Sequence, residues 1–536
     1  MSRTAPRRSR RHPLAGLGRM SWVGLRTAWP ALATALVLAA GLVTAIAVSI
    51  DELYPTVTER QIYAQTVAVS HANIAFNGRG YGLTTVGGIT AYEIGFIGQL
   101  LFPVLGVVLA VRLTRREEEA GRWELLTAGR VGRLAPLGAA ALLVTAAATA
   151  AAGLMVAGMA AVGLPAAGSA WYAAGAGTCI AFFGAVGILL GQLCQGARTA
   201  SLAGLVVVLA AFLSRASADV LDSDAALASP LGWLPEVRSF GGPQAWPLLA
   251  YGGGAIVLLV VAAAVAHRRD IGAGVLAPRP GPPDARRGLA TTLGLTWRLC
   301  RGAVFGCAAL GAIWAVVTGL LGEEMSRLVE ANPGILAAVG LTRGSDLMLL
   351  MATIITGATA AAVGVQAGTR LAAEEGSGRL GAVLSTRVRR ARLWLVWWTT
   401  AVLASQLVLG LSSLTLGLST MAVTGEREDL RTALEVGAGY AVPVAFVTAL
   451  SAALAALGPR VPAVGWIVVA WIVTVGFLDE ALRLPEWSRD LSPLHLVGRL
   501  PIDDVDQLAT VGLGAAAVLL LGATVLRFSR RDLAAG

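Results

Sequence analysis

The 536-residue chain is 56% hydrophobic and only 14% charged, with a mean hydropathy of +0.70. So few charges cannot cover so much apolar surface in water, which excludes a soluble multidomain protein and indicates an integral-membrane one. The net charge of +10 comes from 42 basic residues, all arginine, and their grouping in alternate loops is the positive-inside pattern, not a nucleic-acid surface.

The N-terminal region, 1–28, carries Arg3, Arg7, Arg8, Arg10, Arg11, Arg19 and Arg26 and no acid. Within it, Leu14 to Arg26 mixes Leu, Met, Trp and Val with arginine and reads as an amphipathic surface helix. No small-residue cleavage site follows, so the first apolar run is expected to be retained. Apolar runs then recur at about 20 residues, the length that crosses a hydrocarbon core of about 30 Å as helix. Backbone groups in lipid must bond internally, and the short alternating segments of a β-barrel do not occur. The fold expected is all-α integral membrane, about 12 transmembrane helices in two tandem six-helix halves.

The first half, 29–270, holds spans at Trp29–Ile50, Glu93–Leu113, Ala135–Leu164, Gly168–Cys194, Thr199–Leu213 and Trp246–Ala266, the fifth extendable over Ser214 to Val220. A linker, 271–301, follows, with Pro278, Pro280, Pro282, Pro283, Arg279, Arg286 and Arg287, then a second surface helix from Leu289 to Arg301 around Trp297. The second half, 302–536, holds spans at Ala303–Leu321, Asp346–Gly368, Leu393–Val423, Leu434–Leu457, Val461–Phe477 and Leu508–Leu526. Arginines such as Arg112, Arg116, Arg198, Arg268, Arg389 and Arg460 mark cytoplasmic loops, and acids such as Asp51, Asp222, Glu323, Glu324 and Asp503 mark outer ones. Both termini then fall in the cytoplasm.

One charged stretch occurs twice. The first copy is Glu117-Glu118-x-x-Gly121-Arg122, then Arg130-Val131-x-Arg133; the second is Glu374-Glu375-x-x-Gly378-Arg379, then Arg387-Val388-x-Arg390. Each matched pair sits at one constant offset, and each copy follows the second span of its half. Ser229-Pro230-Leu231 recurs as Ser492-Pro493-Leu494, and Arg268-Arg269-Asp270 as Arg530-Arg531-Asp532. Such order and spacing indicate a tandem duplication with parallel topology. Glu118 stands four residues before Arg122 and Glu375 four before Arg379, so on a helix each pair shares a face, worth about 0.2–0.5 kcal/mol. Each copy is thus expected to form a short charged helix in water, a handle on which a docked protein can push.

Other chemistry finds little support. Without lysine there is no Walker A motif and no Schiff base. Cys179, Cys194, Cys300 and Cys307 lack CxxC spacing, and His12, His71, His267 and His495 lack metal-ligand spacing, so no metal is expected. No G-x-S-x-G nucleophile motif occurs. The arginine, alanine, glycine and valine bias fits a high-GC bacterial, actinobacterial-type genome. Phe96, Gln99, Gln366 and Glu435 are candidates to line a transport cavity. Glu93, Asp346 and Glu435 lie near outer span ends, where a hydrated carboxylate costs little. Trp29, Trp171, Trp246 and Trp394, with Trp397 and Trp398, read as an interfacial belt. The loop with His71, Asn73 and Asn77 reads as a cap over the outer mouth.

The doubled handle, most fully the first copy running into Glu124-Leu125-Leu126, resembles the coupling segment of type-2 ABC exporter permeases. The full twelve-span plan is similar to the fused permeases of actinobacterial polyketide-antibiotic exporters, such as those associated with tetronasin resistance. The resemblance implies a bacterial plasma-membrane permease that exports a hydrophobic or amphipathic compound by alternating access. It implies two copies of a separate ABC ATPase as partners, holding the ATP and magnesium, with no cofactor in this chain. The coupling residues it implies are Glu117, Glu118, Gly121, Arg122, Glu124, Arg130 and Arg133, and Glu374, Glu375, Gly378, Arg379, Arg387 and Arg390. In the second copy Gly381 replaces Glu124 and Ala382-Val383 replace Leu125-Leu126, which implies unequal coupling. A proton-coupled secondary transporter is the alternative, and it requires membrane-embedded titratable groups. A membrane enzyme would require acids and histidines clustered at one face.

Overall fold

A computed structural model of the chain describes residues 12–68, 71–127, 131–270, 272–276, 287–320, 344–482 and 484–533. Arg130, Glu323, Glu324 and the proline-rich stretch 277–286 lie outside the described residues. The chain divides into two compact units, residues 1–280 and 281–536.

The protein is an all-α, multi-pass membrane protein. Eleven described helices are long and apolar enough to cross a bilayer, and Pro462–Phe477 is a shorter apolar stretch. The first unit runs α1 (Leu17–Leu53), α2 (Val57–Ala68), α3 (His71–Asn77), α4 (Val86–Leu113), α5 (Arg115–Glu119), α6 (Arg122–Thr127), α7 (Ala135–Ala161), α8 (Ala166–Leu193), α9 (Ala197–Val220) and α10 (Trp246–Arg268). The second runs α11 (Thr292–Leu320), α12 (Gly344–Gly376), α13 (Arg379–Leu384), α14 (Arg390–Thr424), α15 (Arg427–Gly439), α16 (Ala441–Leu457), α17 (Gly465–Leu482), α18 (Glu486–Arg489), α19 (Pro493–Val497) and α20 (Gln507–Arg530).

Several expectations are corrected. Leu14 to Arg26 does not form a separate surface helix; Leu17 onward continues into the first span as one helix of 37 residues through Pro30. Likewise α11 starts at Thr292 and absorbs most of the second surface segment. The span expected at Leu434–Leu457 lies within one bilayer-length stretch, Arg427–Leu457, which has a local break at Tyr440. Pro443 explains the break, because its ring and missing N–H disrupt the preceding turn. The fifth span of the first half does extend over Ser214 to Val220.

Small residues set the packing. In the first unit α8 is the most buried span, and in the second α12 is. Without a hydrophobic drive between helices in lipid, close backbone approach supplies the van der Waals contact. A Cβ at Gly187 would come within 2.9 Å of the Val107 backbone, and one at Gly106 would collide with the Ile180 carbonyl. These two glycines therefore let α4 and α8 touch backbone to backbone. Gly41 in α1, by contrast, has nothing within 4 Å of such a Cβ. Gly187→Ala should cost about 1–3 kcal/mol by overpacking. Gly41→Ala should be neutral or stabilise by up to about 1 kcal/mol. The unfolding midpoints of the two variants in detergent check the contrast.

Candidate functional site

Each handle is a helix, a glycine turn and a second short helix. The acids belong to the end of the second span: Glu117 and Glu118 lie on α5, and Glu374 and Glu375 on α12. Gly121 and Gly378 then take φ of +69° and +73°. That left-handed conformation favours glycine, and it ends the helix so that α6 and α13 start in a new direction.

This turn overturns the expected i,i+4 pairs. Arg122 does not meet Glu118; its Nε and Nη2 grip the Glu117 carboxylate at 2.5 and 2.7 Å. Arg379 does the same to Glu374, at 2.6 and 3.2 Å. Both guanidinium groups are held above their ordinary pKa by these hydrogen bonds. Arg370 also reaches Glu374, at 2.9 Å.

The second acid of each pair turns inward, to the matching arginine after the last span. Arg269 Nη1 and Nη2 each donate to one oxygen of Glu118 at 2.7 Å. Arg531 Nη2 donates to Glu375 at 2.6 Å. The side chains are 1% and 8% exposed for Glu118 and Arg269, and 3% and 16% for Glu375 and Arg531. The final arginine of each handle completes the joint. Arg133 donates to the Arg269 carbonyl oxygen, and Arg390 donates to that of Arg531 at 2.7 Å. The two arginine-rich repeats that look separate in sequence are therefore halves of one contact.

The first joint has added bracing. Gln192 Oε1 accepts from Arg269 Nε at 2.9 Å, and the Gly272 amide donates to Glu118 at 2.7 Å. Arg115 is fully buried; it bonds Glu118 at 3.1 Å and the carbonyls of Gln195, Gly272 and Ala273 at 2.7, 3.0 and 3.2 Å. The position matching Arg115 is Ala372, so the second copy lacks that guanidinium. Arg115, Arg269 and Arg531 were absent from the expected site. The recurring Arg-Arg-Asp was the signal for two of them.

Each short helix is seated by apolar residues, and the most buried of them stands at the matching position in both copies. Trp123 of α6 is buried in a niche with Met20, Val23 and Thr27 of α1 and Ala139 and Leu143 of α7. The matching residue, Leu380 of α13, is buried in the cluster that also holds Cys300, Trp394 and Phe528. Arg122, Glu124, Arg379, Gly381, Ala382 and Arg387 face outward and are exposed. Trp394, Trp397 and Trp398 are not an interfacial belt but core. Trp394 stacks on Phe528 at 4.2 Å, and its Nε1 donates to Thr524 of α20. Trp29 is exposed, in keeping with a belt position.

Of the expected cavity residues, Gln99 lines a cavity with Asn77, Arg79, Tyr92, Tyr172 and Arg238, and all four have partners within the protein. Phe96 packs edge-on against Phe76 and Phe212, and its amide donates to Asn77 Oδ1. Gln99 is fully buried and donates to the Asn77 carbonyl at 3.1 Å. Both hold α3 between α4 and α9. So does the buried Arg215, which bonds Asp219 at 3.2 Å and the carbonyls of Ile74 and Phe76 at 3.2 and 2.8 Å. Glu93 is not simply hydrated but accepts from Tyr63 of α2. Gln366 donates to Cys307 Sγ at 3.3 Å, and Glu435 pairs with Arg431 on an exposed face.

A family profile described as "Multidrug efflux system permease Rv1217c, C-terminal domain" matches residues 289–529. The chain is also 29% identical over 505 residues to the multidrug efflux system permease protein Rv1217c of Mycobacterium tuberculosis, covering 93% of this chain and 91% of that one. The likeness runs through both units.

Removing one partner of a buried ion pair leaves an uncompensated charge, at a cost of about 3–5 kcal/mol. Arg269→Ala should lose about that much stability. Arg122 is 52% exposed, and Arg122→Ala should lose less than about 1 kcal/mol. Unfolding in detergent, run on the two variants together, measures the difference.

Proposed function

We propose that the chain is the permease of an efflux transporter powered by a separate ABC ATPase that docks on the two handles. What carries this reading is the handle itself, built twice, seated on its own unit each time and turning a charged face outward. The near full-length likeness to an efflux permease supports the transport role. With no lysine in the chain, ATP and magnesium belong on the partner, because the phosphate-binding P-loop requires one. In this reading the handles lie in the cytoplasm with both termini, at the bacterial plasma membrane. Two ATPase subunits close on ATP, the handles move, and a hydrophobic or amphipathic compound such as a polyketide antibiotic leaves by alternating access.

The docking contacts belong to the exposed residues. Glu118 and Glu375 are interior to the handle and shape it; Arg122, Glu124, Arg379 and Arg387 lie on its exposed face, where a partner surface would meet them. Polar contacts across an interface act through complementary charge, and like-charge juxtaposition costs several kcal/mol. A candidate ABC ATPase from the same genome should co-purify with the wild-type chain. The charge reversals Glu124→Arg and Arg387→Glu, which leave both arginine clasps in place, should each cut its retention at least ten-fold while leaving the unfolding midpoint nearly unchanged. A wild-type chain that retains no ATPase, and that moves ethidium into liposomes on a proton gradient alone, would replace this reading with a secondary transporter.

A further inference from the structure

We infer that the buried pairs Glu118–Arg269 and Glu375–Arg531 are the joints through which a displaced handle drives the last span of its own unit. The inference rests on the proposed docking of an ATPase, and it concerns where the resulting motion goes.

Covalent connection alone would send that motion to the spans on either side of the handle, α4 and α7 or α12 and α14. The ion pairs add a third output. Glu118 and Glu375 lie just before the glycine turn, and their partners lie just past the ends of α10 and α20. A two-pronged grip such as that of Arg269 fixes direction as well as distance. Arg133 and Arg390 bond the backbone of the same arginines from the far side of the handle. Each handle thus holds the end of the last span from both of its own ends.

The last spans are also the least buried of the bilayer-length helices in their units. Only 11% of the apolar window of α10 and 17% of that of α20 is buried, the lowest value for any bilayer-length helix in either unit, against 83% for α12. Each last span packs chiefly on one neighbour, α10 on α8 and α20 on α16, and leaves most of its remaining surface open, so a rigid attachment at its end can tilt it about that one seam. The central helices α8 and α12 are the most buried spans of their units and resist such motion. Arg269, Arg531, Glu118 and Glu375 are positioning residues in this scheme and need not touch the transported compound. Because Ala372 replaces Arg115, the second joint relies more on its arginine than the first.

Two measurements test the joint. Hydrogen exchange on the purified chain needs no ATPase. Arg531→Gln should speed exchange at least ten-fold in both α13 and the last turns of α20. The reversed pair, Glu375→Arg with Arg531→Glu, should return both segments toward wild type. Acceleration in only one segment, or in neither, overturns the joint whatever powers transport. The second measurement is the number of ethidium molecules moved per ATP hydrolysed with the candidate ATPase bound, in reconstituted vesicles. Arg531→Gln should lower that ratio at least five-fold, with the reversed pair restoring it. A variant that merely loses folded protein lowers transport and hydrolysis together, so an unchanged ratio overturns the inference. If the wild-type chain binds no ATPase, the powering proposal fails, and the exchange data still decide whether handle and last span move as one.

Discussion

The handle region depends on a carboxylate taken out of water and held by a guanidinium from the opposite end of the same unit. Glu118 and Arg269 are 151 residues apart in sequence, and Glu375 and Arg531 are 156 apart. Desolvating such charges is costly, and the cost is offset only when geometry is good and the remaining donors and acceptors are filled. Gln192, Arg115 and the Gly272 amide fill them in the first unit. The result is a charged loop with a defined seat. Under the proposed coupling, a flexible loop between spans would absorb a push, whereas this one would pass it on.

The arrangement also sorts the acids by task. Glu117 and Glu374 clasp the arginine across the glycine turn and fix the angle between the two short helices. Their neighbours lock the whole turn to the unit. Adjacent glutamates on a helix point about 100° apart, so one sequence pair serves two directions. What remains for a partner is a face of arginine and glutamate in the first copy, and of arginine beside Gly381 and Ala382 in the second.

Much of the span pattern was legible in sequence, because apolar length is a strong signal and lipid permits few alternatives. The doubled handle was legible too, since its residues repeat at a fixed offset. The pairing within it was not. Spacing predicted Glu118 with Arg122, but spacing assumes an unbroken helix, and Gly121 with its positive φ breaks it. Long-range partners such as Arg269 leave no local mark. Tryptophan misled for a related reason: Trp394 sits at a span end, yet stacking on Phe528 and bonding Thr524 draws it into the core. Phe96 and Gln99 looked like cavity groups because polar and aromatic residues in a span invite that reading, and Gln99 does line a cavity with Tyr92, Tyr172 and Arg238. Their actual partner, α3, lies in a loop whose position hydropathy does not report.

The length of α1 adds one more constraint. Its 37 residues extend about 55 Å at about 1.5 Å per residue, well beyond a hydrocarbon core of about 30 Å. Its overhanging end carries Met20 and Val23, which form part of the niche that seats Trp123. A long helix answers a change in bilayer thickness by tilting, and a tilt of this one displaces the seat of the first charged loop. Under the proposed coupling, lipid composition would be a mechanical input to that loop, while the second loop is seated by Leu380 in a cluster with Cys300, Trp394 and Phe528, on different helices.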